Sequence, residues 1–284
     1  MVHASSFVIG AARLSAGLVL TIVIFFPRID FGRLWPWSKV GAGTAERYLL
    51  PTIGLLFGIH WYTYFESIQR SSATLGILAL STYGIHVTWM GALFSARRPS
   101  PRDWMGVAVA ICGAWLCLPA IEVNASAFWG FVLGMVSAVF YAAIPLLHQR
   151  IAHVSHSTRA AGQFLFAWLL FLPSVPSQSW SLSSQDWWLL AILGVLCTFV
   201  AHNLWISITT EVRPATSGML YYLSLPVTIG LETLLLQRPP TYMQLTGAAL
   251  ILLGNGFALW SRATAASRAM VLANSPPRGD GTIQ

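Results

Sequence analysis

The chain contains the segment Gly58-Ile-His-Trp-Tyr-Thr-Tyr-Phe-Glu-Ser-Ile-Gln-Arg-Ser-Ser-Ala-Thr-Leu-Gly76 and, farther along, a diverged copy, Val200-Ala-His-Asn-Leu-Trp-Ile-Ser-Ile-Thr-Thr-Glu-Val-Arg-Pro-Ala-Thr-Ser-Gly218. His60 aligns with His202, an offset of 202 − 60 = 142 residues. The motif Ala-Thr-x-Gly ends both segments. Such a repeat indicates a protein built from two related halves.

The composition places the chain in a membrane. Of its 284 residues, 56% are hydrophobic and 9% are charged, whereas about 25% of the residues in a soluble domain are charged. Apolar runs of roughly 20 residues dominate, which is the length that an α-helix needs to cross a bilayer. We therefore predict an all-α polytopic protein with nine transmembrane helices, at about 7–26, 48–68, 72–95, 103–120, 128–148, 158–175, 187–208, 214–236 and 241–261.

The basic residues predict the orientation, because cytoplasmic loops are enriched in Lys and Arg. Of the 16 basic residues, 13 lie in alternate loops and the tail, while Arg70 and Arg238 lie on the opposite side and Arg13 lies within the first helix. We expect a cytoplasmic C-terminus in a bacterial inner membrane. The net charge of +7 therefore reports loop position, and nucleic acid is not an expected partner.

The two halves are predicted to be inverted relative to each other. Helix 48–68 runs outward and its copy 187–208 runs inward, while helix 7–26 matches 158–175. Helix 128–148 has no partner, so the first half lacks one helix. Either the translation start is placed too far downstream or this is a natural nine-helix form. The predicted units are a first repeat at 1–120, a second repeat at 121–262 and a disordered cytoplasmic tail at 263–284.

The repeated pattern Gly-Ile-His-Trp-x-x-Tyr-Phe-Glu-Ser-Ile-x-x-Ser-Ser-Ala, followed by a helix that ends before a basic, Pro-rich turn, resembles the EamA-type transporters of the drug/metabolite transporter superfamily. The resemblance implies two five-helix inverted repeats around a central cavity through which small organic solutes move. Arg13 resembles an arginine that this family often carries in its second helix. Ser224-Leu-Pro226 resembles the family's Glu-Pro step, with Leu225 in place of the Glu.

A polar stripe is predicted on the eighth helix, because residues three or four apart share a helix face. Glu232 is the candidate for proton coupling, since an ionisable group within a span suggests a functional site. The alternatives are a carboxylate that reaches the outer interface and side chains that only link helices through hydrogen bonds. The stripe comprises Tyr221, Ser224, Thr228 and Glu232, and the matching face of helix 72–95 carries Thr82, His86 and Met90, with Trp89 adjacent.

The repeated histidines give a second group of candidate solute-binding residues. His60 and His202 fall near the middle of their helices, where neutral imidazole can bind a solute or carry protons. Trp61, Tyr64 and Trp205 neighbour them and can stack on an aromatic or cationic ligand. The simpler alternative is that each histidine is a core residue bonded to a neighbour.

These features predict a secondary transporter that moves an amino acid, metabolite or drug-like compound by alternating access, with export as the expected direction. A transport-inactive membrane sensor or scaffold is the alternative. An intramembrane hydrolase using Ser217 and His202 requires the two side chains to meet. No GxxxxGK[ST] motif is present, and no metal or cofactor is expected. The expected partners are a small-molecule solute, the lipid bilayer and protons, with a homodimer left open.

Overall fold

The computed structural model describes residues 4–35, 46–71, 73–94, 98–117, 125–237 and 239–254. The predicted tail at 263–284 and the end of the last predicted helix lie outside these ranges. The helices are α1 Ser6–Phe25, α2 Phe31–Leu34, α3 Leu49–Arg70, α4 Ala73–Ser81, α5 Tyr83–Phe94, α6 Pro101–Leu116, α7 Ala125–Arg150, α8 His156–Phe171, α9 Ser184–Gly194, α10 Ala201–Glu211, α11 Pro214–Tyr222, α12 Ser224–Leu236 and α13 Tyr242–Gly254.

The all-helical fold class is confirmed, because each of the nine predicted helices coincides with a helical part of the described chain. Five helical stretches are long and apolar enough to cross a membrane: Ser6–Arg28, Leu75–Phe94, Ala125–Arg150, His156–Ser177 and Ser184–Glu211. Helix α3 adds 22 residues, or about 33 Å at 1.5 Å per residue. Large apolar side chains cover the outer surface, as a lipid environment requires; Leu234 and Trp188 are each 72% exposed.

The helices are arranged about a pseudo-two-fold relation between the halves. Helix α3 packs against α8, and the matching pair, α9 with α1, is also in contact. Between α9 and α10 the chain forms a π-helical segment, Val195–Val200, which packs against α1 as well. Helix α7, for which the described residues contain no repeat partner, lies against α3, α4, α5 and α10. It therefore joins the two halves.

The helix ends of the described residues fall into two sets, as expected for helices that cross a membrane in alternating directions. Loops that the charge pattern assigns to one side contact one another, and so do segments assigned to the other. The first set is joined by Asp30 N to Thr158 Oγ1 at 2.8 Å and Arg213 Nη1 to Asp103 Oδ2 at 3.6 Å, and the second by Ser126 Oγ to the Arg70 carbonyl at 2.7 Å.

Glycine contacts repeat across the pseudo-two-fold between α6 and α13. A Cβ on Gly113 would lie 2.6 Å from the carbonyl oxygen of Gly247, and a Cβ on Gly254 would lie 3.4 Å from that of Gly106. Because Gly106 matches Gly247 and Gly113 matches Gly254, with 247 − 106 = 141, exchanging the halves converts one contact into the other. The two helices therefore cross at backbone distance in both places.

Two helix breaks also occur at related positions. The α4–α5 break lies at Thr82 and the α11–α12 break lies at Leu223, and 223 − 82 = 141. At the first break the Ile85 N–H donates to the carbonyl of Thr82, a bond of three-residue span. The Ser81 carbonyl accepts a hydrogen bond from the fully buried Tyr222 hydroxyl on α11. A side chain of the second half thus satisfies the broken backbone of the first.

Replacing Gly113 with Ala should destabilise the protein, because the new methyl group would meet a backbone carbonyl that cannot rotate away. Overpacking of this kind costs about 1–3 kcal/mol, so the apparent melting temperature in detergent should fall. Gly230→Ala is the matched control, since a Cβ on Gly230 would meet nothing within 4 Å. Equal melting temperatures for the two variants would contradict the crossing.

Candidate functional site

Nine ring-bearing side chains meet where the two halves face each other, and we call them the aromatic cluster. They come from α3 and α5 of the first half, α10 and α11 of the second half, and α7. The members are Phe57, His60, Trp61, Tyr64, Tyr83, Tyr141, His202, Trp205 and Tyr221. Six of the sequence-predicted solute-binding residues belong to this cluster, namely His60, Trp61, Tyr64, His202, Trp205 and Tyr221.

His60 is held firmly by α7. Its Nδ1 lies 2.7 Å from Ser137 Oγ, and that hydroxyl donates to the His60 carbonyl at 2.8 Å. The imidazole also stacks on Tyr141, with ring centroids 4.4 Å apart and planes 12° apart. This histidine matches the simpler alternative, a buried side chain bonded to a neighbouring helix.

His202 is in a different environment. Its ring packs edge-on to Phe57 at 4.7 Å and against Trp61 at 5.6 Å, and its side chain is only half-buried. Phe57 also contacts His60, with ring centroids 6.1 Å apart. The two repeated histidines therefore flank one phenylalanine, and His202 has the more accessible ring.

Trp205 lies among three tyrosines. Its ring is stacked at 15° to Tyr141, with centroids 6.2 Å apart, and contacts Tyr83 at 6.1 Å and Tyr221 at 6.4 Å. The indole Nε1 is buried and has no hydrogen-bond partner among the described residues. A buried donor without an acceptor is costly, so this N–H is suited to a polar group of a ligand.

Arg13 borders the aromatic cluster from α1. Its Nε donates to Thr198 Oγ1 at 3.0 Å and its Nη2 donates to the Cys197 carbonyl at 3.3 Å, both within the π-helical segment. Its guanidinium carbon lies 4.3 Å from the ring centroid of Trp61 and 5.6 Å from that of Phe65. The described polar contacts of this cation are all to neutral groups.

The predicted stripe on the eighth helix is interrupted. The break at Leu223 separates Tyr221, which belongs to the aromatic cluster, from Ser224, which is exposed and donates to the Tyr221 carbonyl at 2.8 Å. The side chains of Thr228 and Glu232 lie outside what the structure describes, although both residues are in α12. Their role as binding and coupling residues stays a prediction.

The predicted matching face on helix 72–95 is likewise interrupted by a helix break. Thr82 lies at the α4–α5 break, where its hydroxyl donates to the Ala79 carbonyl at 2.7 Å. His86 accepts at Nδ1 from Trp89 Nε1 at 3.3 Å, and Trp89 is 38% exposed. The described contact of His86 and Trp89 is thus with each other, and no ring contact between either residue and the aromatic cluster is among the described contacts.

Ser217 makes contacts that differ from those a hydrolase requires. Its hydroxyl donates to the Pro214 carbonyl at 2.7 Å and lies 3.2 Å from the Tyr83 hydroxyl, whereas His202 contacts Phe57 and Trp61. The described contacts of these residues do not form a serine–histidine pair. Glu66 and Arg70, four residues apart on α3, form an ion pair at 3.2 Å.

Sequence reasoning missed three members of the aromatic cluster. Phe57 lies three residues before His60 and Tyr83 lies three residues before His86, so the helical spacing that selected the two histidines also indicated these rings. Tyr141 had no such signal, because it lies on α7, the helix without a repeat partner. It contacts His60, Tyr83 and Trp205, and so it joins both halves of the cluster.

Comparison with known proteins agrees with this architecture. A solved crystal structure superimposes on the chain with a TM-score of 0.77 and 18% sequence identity, over 92% of this chain and 90% of the other, which shows a shared fold. The sequence matches none of the curated proteins with which it was compared. The EamA-like transporter family is matched twice, by residues 2–118 and 128–260, one match in each repeat. The chain therefore belongs to the EamA-like transporter family, and it is a membrane transporter of small solutes.

Proposed function

We propose that the protein is a secondary transporter that exports a small organic solute by alternating access, with the aromatic cluster as the solute site. The observation that carries this proposal is the position of Trp205, whose buried indole N–H has no described partner among rings supplied by both halves and by α7. Solute sites in transporters of inverted repeats lie at the repeat interface. The cluster occupies that place.

The chemistry of the cluster suits a small amphipathic solute. Aromatic faces provide apolar contact area, while hydroxyl and indole N–H groups fix orientation. Tyr83 and Tyr221 have ring centroids 5.1 Å apart, and Tyr141 lies 5.0 Å from Tyr83. Rings at this spacing form a continuous wall on which a ring or alkyl body can lie.

Alternating access requires places where helices can bend, and three lie beside the cluster. These are the breaks at Thr82 and Leu223 and the π-helical segment Val195–Val200. Non-α turns within helices often mark functional hinges. We infer that bending there, with the units 1–120 and 121–262 rocking against each other, exposes the cluster to each side in turn.

The proposal also covers the orientation of the protein in the membrane and the coupling of transport to protons. The grouping of helix ends supports the two-sided arrangement of loops, and the excess of basic residues in one set favours the cytoplasm for that set and for the C-terminus. Glu232, in α12 beyond the second break, is the proposed proton-coupling residue. Export by such an inner-membrane protein is then driven by the proton gradient.

Removing the indole N–H should weaken solute binding without unfolding the protein. The solute is first identified by comparing extracellular metabolites of cells with and without the chain. Trp205→Phe should then raise the KM for that solute by roughly tenfold, the effect of losing one hydrogen bond of about 1.4 kcal/mol. The control is Trp188→Phe, since Trp188 is 72% exposed on the outer surface. Identical kinetics for the two variants would contradict the placement of the site.

Neutralising Glu232 should uncouple transport from protons. In proteoliposomes, transport by the wild type should change between about pH 5 and pH 8, the range in which perturbed carboxylates titrate. Glu232→Gln should flatten that profile. Glu66→Gln is the control, because Glu66 pairs with Arg70 near a helix end. A pH profile of Glu232→Gln that follows the wild type would dismiss the coupling role.

A further inference from the structure

Arg13 carries a charge that the described structure does not neutralise. It is the eighth residue of α1, a helix of 20 residues that belongs to a membrane-spanning stretch. Charged side chains at such depth are costly, and they usually pair with another charge or line a pathway. The described polar partners of Arg13, Thr198 and the Cys197 carbonyl, are neutral.

The guanidinium has N–H donors that its described hydrogen bonds do not use. Arginine carries five N–H donors in a planar fork, and the two described hydrogen bonds use one on Nε and one on Nη2. The Nη1 group and the second hydrogen of Nη2 remain, and these form the edge that binds a carboxylate through two parallel hydrogen bonds. The π-helical segment thus orients Arg13, and the donor edge formed by Nη1 and Nη2 has no described hydrogen-bond acceptor.

The surroundings connect the Arg13 guanidinium to the proposed solute site. The guanidinium lies over Trp61 at 4.3 Å, and the Trp61 ring contacts Phe57 at 5.0 Å and His202 at 5.6 Å. Because these rings belong to the aromatic cluster, a solute lying on the cluster can place one end at Arg13. None of the side chains described in contact with Arg13 or Trp61 is a carboxylate.

We propose that Arg13 binds the carboxylate of the transported solute, and that the site selects an organic anion with an aromatic or apolar body. This proposal rests on the function proposed above and names its substrate class. A positively charged amine next to the same guanidinium would be repelled and would find no described acidic partner there. The site should therefore prefer a simple carboxylate to its amide and to the corresponding amine.

The alternative is that Arg13 only ties α1 to the π-helical segment through Thr198. The two roles predict different results for Thr198→Val, which removes the acceptor of the Nε bond at 3.0 Å and leaves the charge in place. If Arg13 has only a structural role, Thr198→Val and Arg13→Gln should show the same change in carboxylate preference. An anion-binding arginine keeps its carboxylate preference in Thr198→Val and loses it in Arg13→Gln.

The test compares three probes that share one ring: 3-phenylpropanoate, 3-phenylpropanamide and 3-phenylpropylamine. Binding is measured on the full chain in lipid nanodiscs. The wild type and Thr198→Val should bind the carboxylate roughly tenfold or more tightly than the amide, as expected for a lost charge-assisted pair. Arg13→Gln should bind both alike, and Arg13→Lys should keep only part of the preference, because an ammonium cannot bind a carboxylate through the same planar fork.

Several outcomes would overturn the proposal. They are failure of the wild type to bind 3-phenylpropanoate, equal or tighter binding of the amide or amine, and an unchanged preference in Arg13→Gln. If Arg13→Gln does not fold, Arg13→Lys decides, since a preference equal to that of the wild type contradicts the fork geometry. Uptake of the same probes into proteoliposomes tests the proposed function separately. Selective binding without uptake would contradict the transport function and support the anion site. Uptake of all three probes at equal rates would contradict the anion site and support the transport function.

Discussion

The whole structure depends on the rule that backbone polar groups in a bilayer must find partners within the protein. Regular α-helices meet this rule by themselves, whereas a departure from the helix frees backbone groups that other parts of the protein can satisfy. At the Thr82 break the Tyr222 hydroxyl bonds to the Ser81 carbonyl. At the π-helical segment Arg13 bonds to the Cys197 carbonyl. Both donors come from the opposite half, so contact between the halves stabilises these two irregular segments.

The pseudo-two-fold is broken by α7, and this asymmetry gives the two repeated histidines different environments. His60 is bonded to Ser137 and stacked on Tyr141, both on α7. His202 occupies the matching position, where no helix equivalent to α7 belongs to the described chain, and its ring contacts are to Phe57 and Trp61. One histidine is therefore bonded to α7, whereas the other is packed against aromatic side chains of α3.

The sequence predicted what depends on composition and regular spacing. Long uncharged runs predicted the helices, and the spacing of the repeat predicted that His60 and His202 lie in related helices. The break at Thr82 and the π-helical segment were not predicted, because neither contains a proline and both depend on tertiary partners. The bond from Arg13 to the Cys197 carbonyl was likewise inaccessible, since its acceptor is backbone. Tyr141 was missed because comparison of repeats finds only residues that are repeated.

If the aromatic cluster is the solute site of an alternating-access transporter, it must open to each side of the membrane in turn. Labelling of Tyr64→Cys by a membrane-impermeant thiol reagent detects such opening, in a chain whose native Cys112, Cys117 and Cys197 are replaced by alanine. Reagent added from either side of sealed, oriented vesicles should modify this position, and the transported solute should slow both reactions. Modification from one side only, or rates that the solute does not change, would contradict an alternating-access site at the cluster.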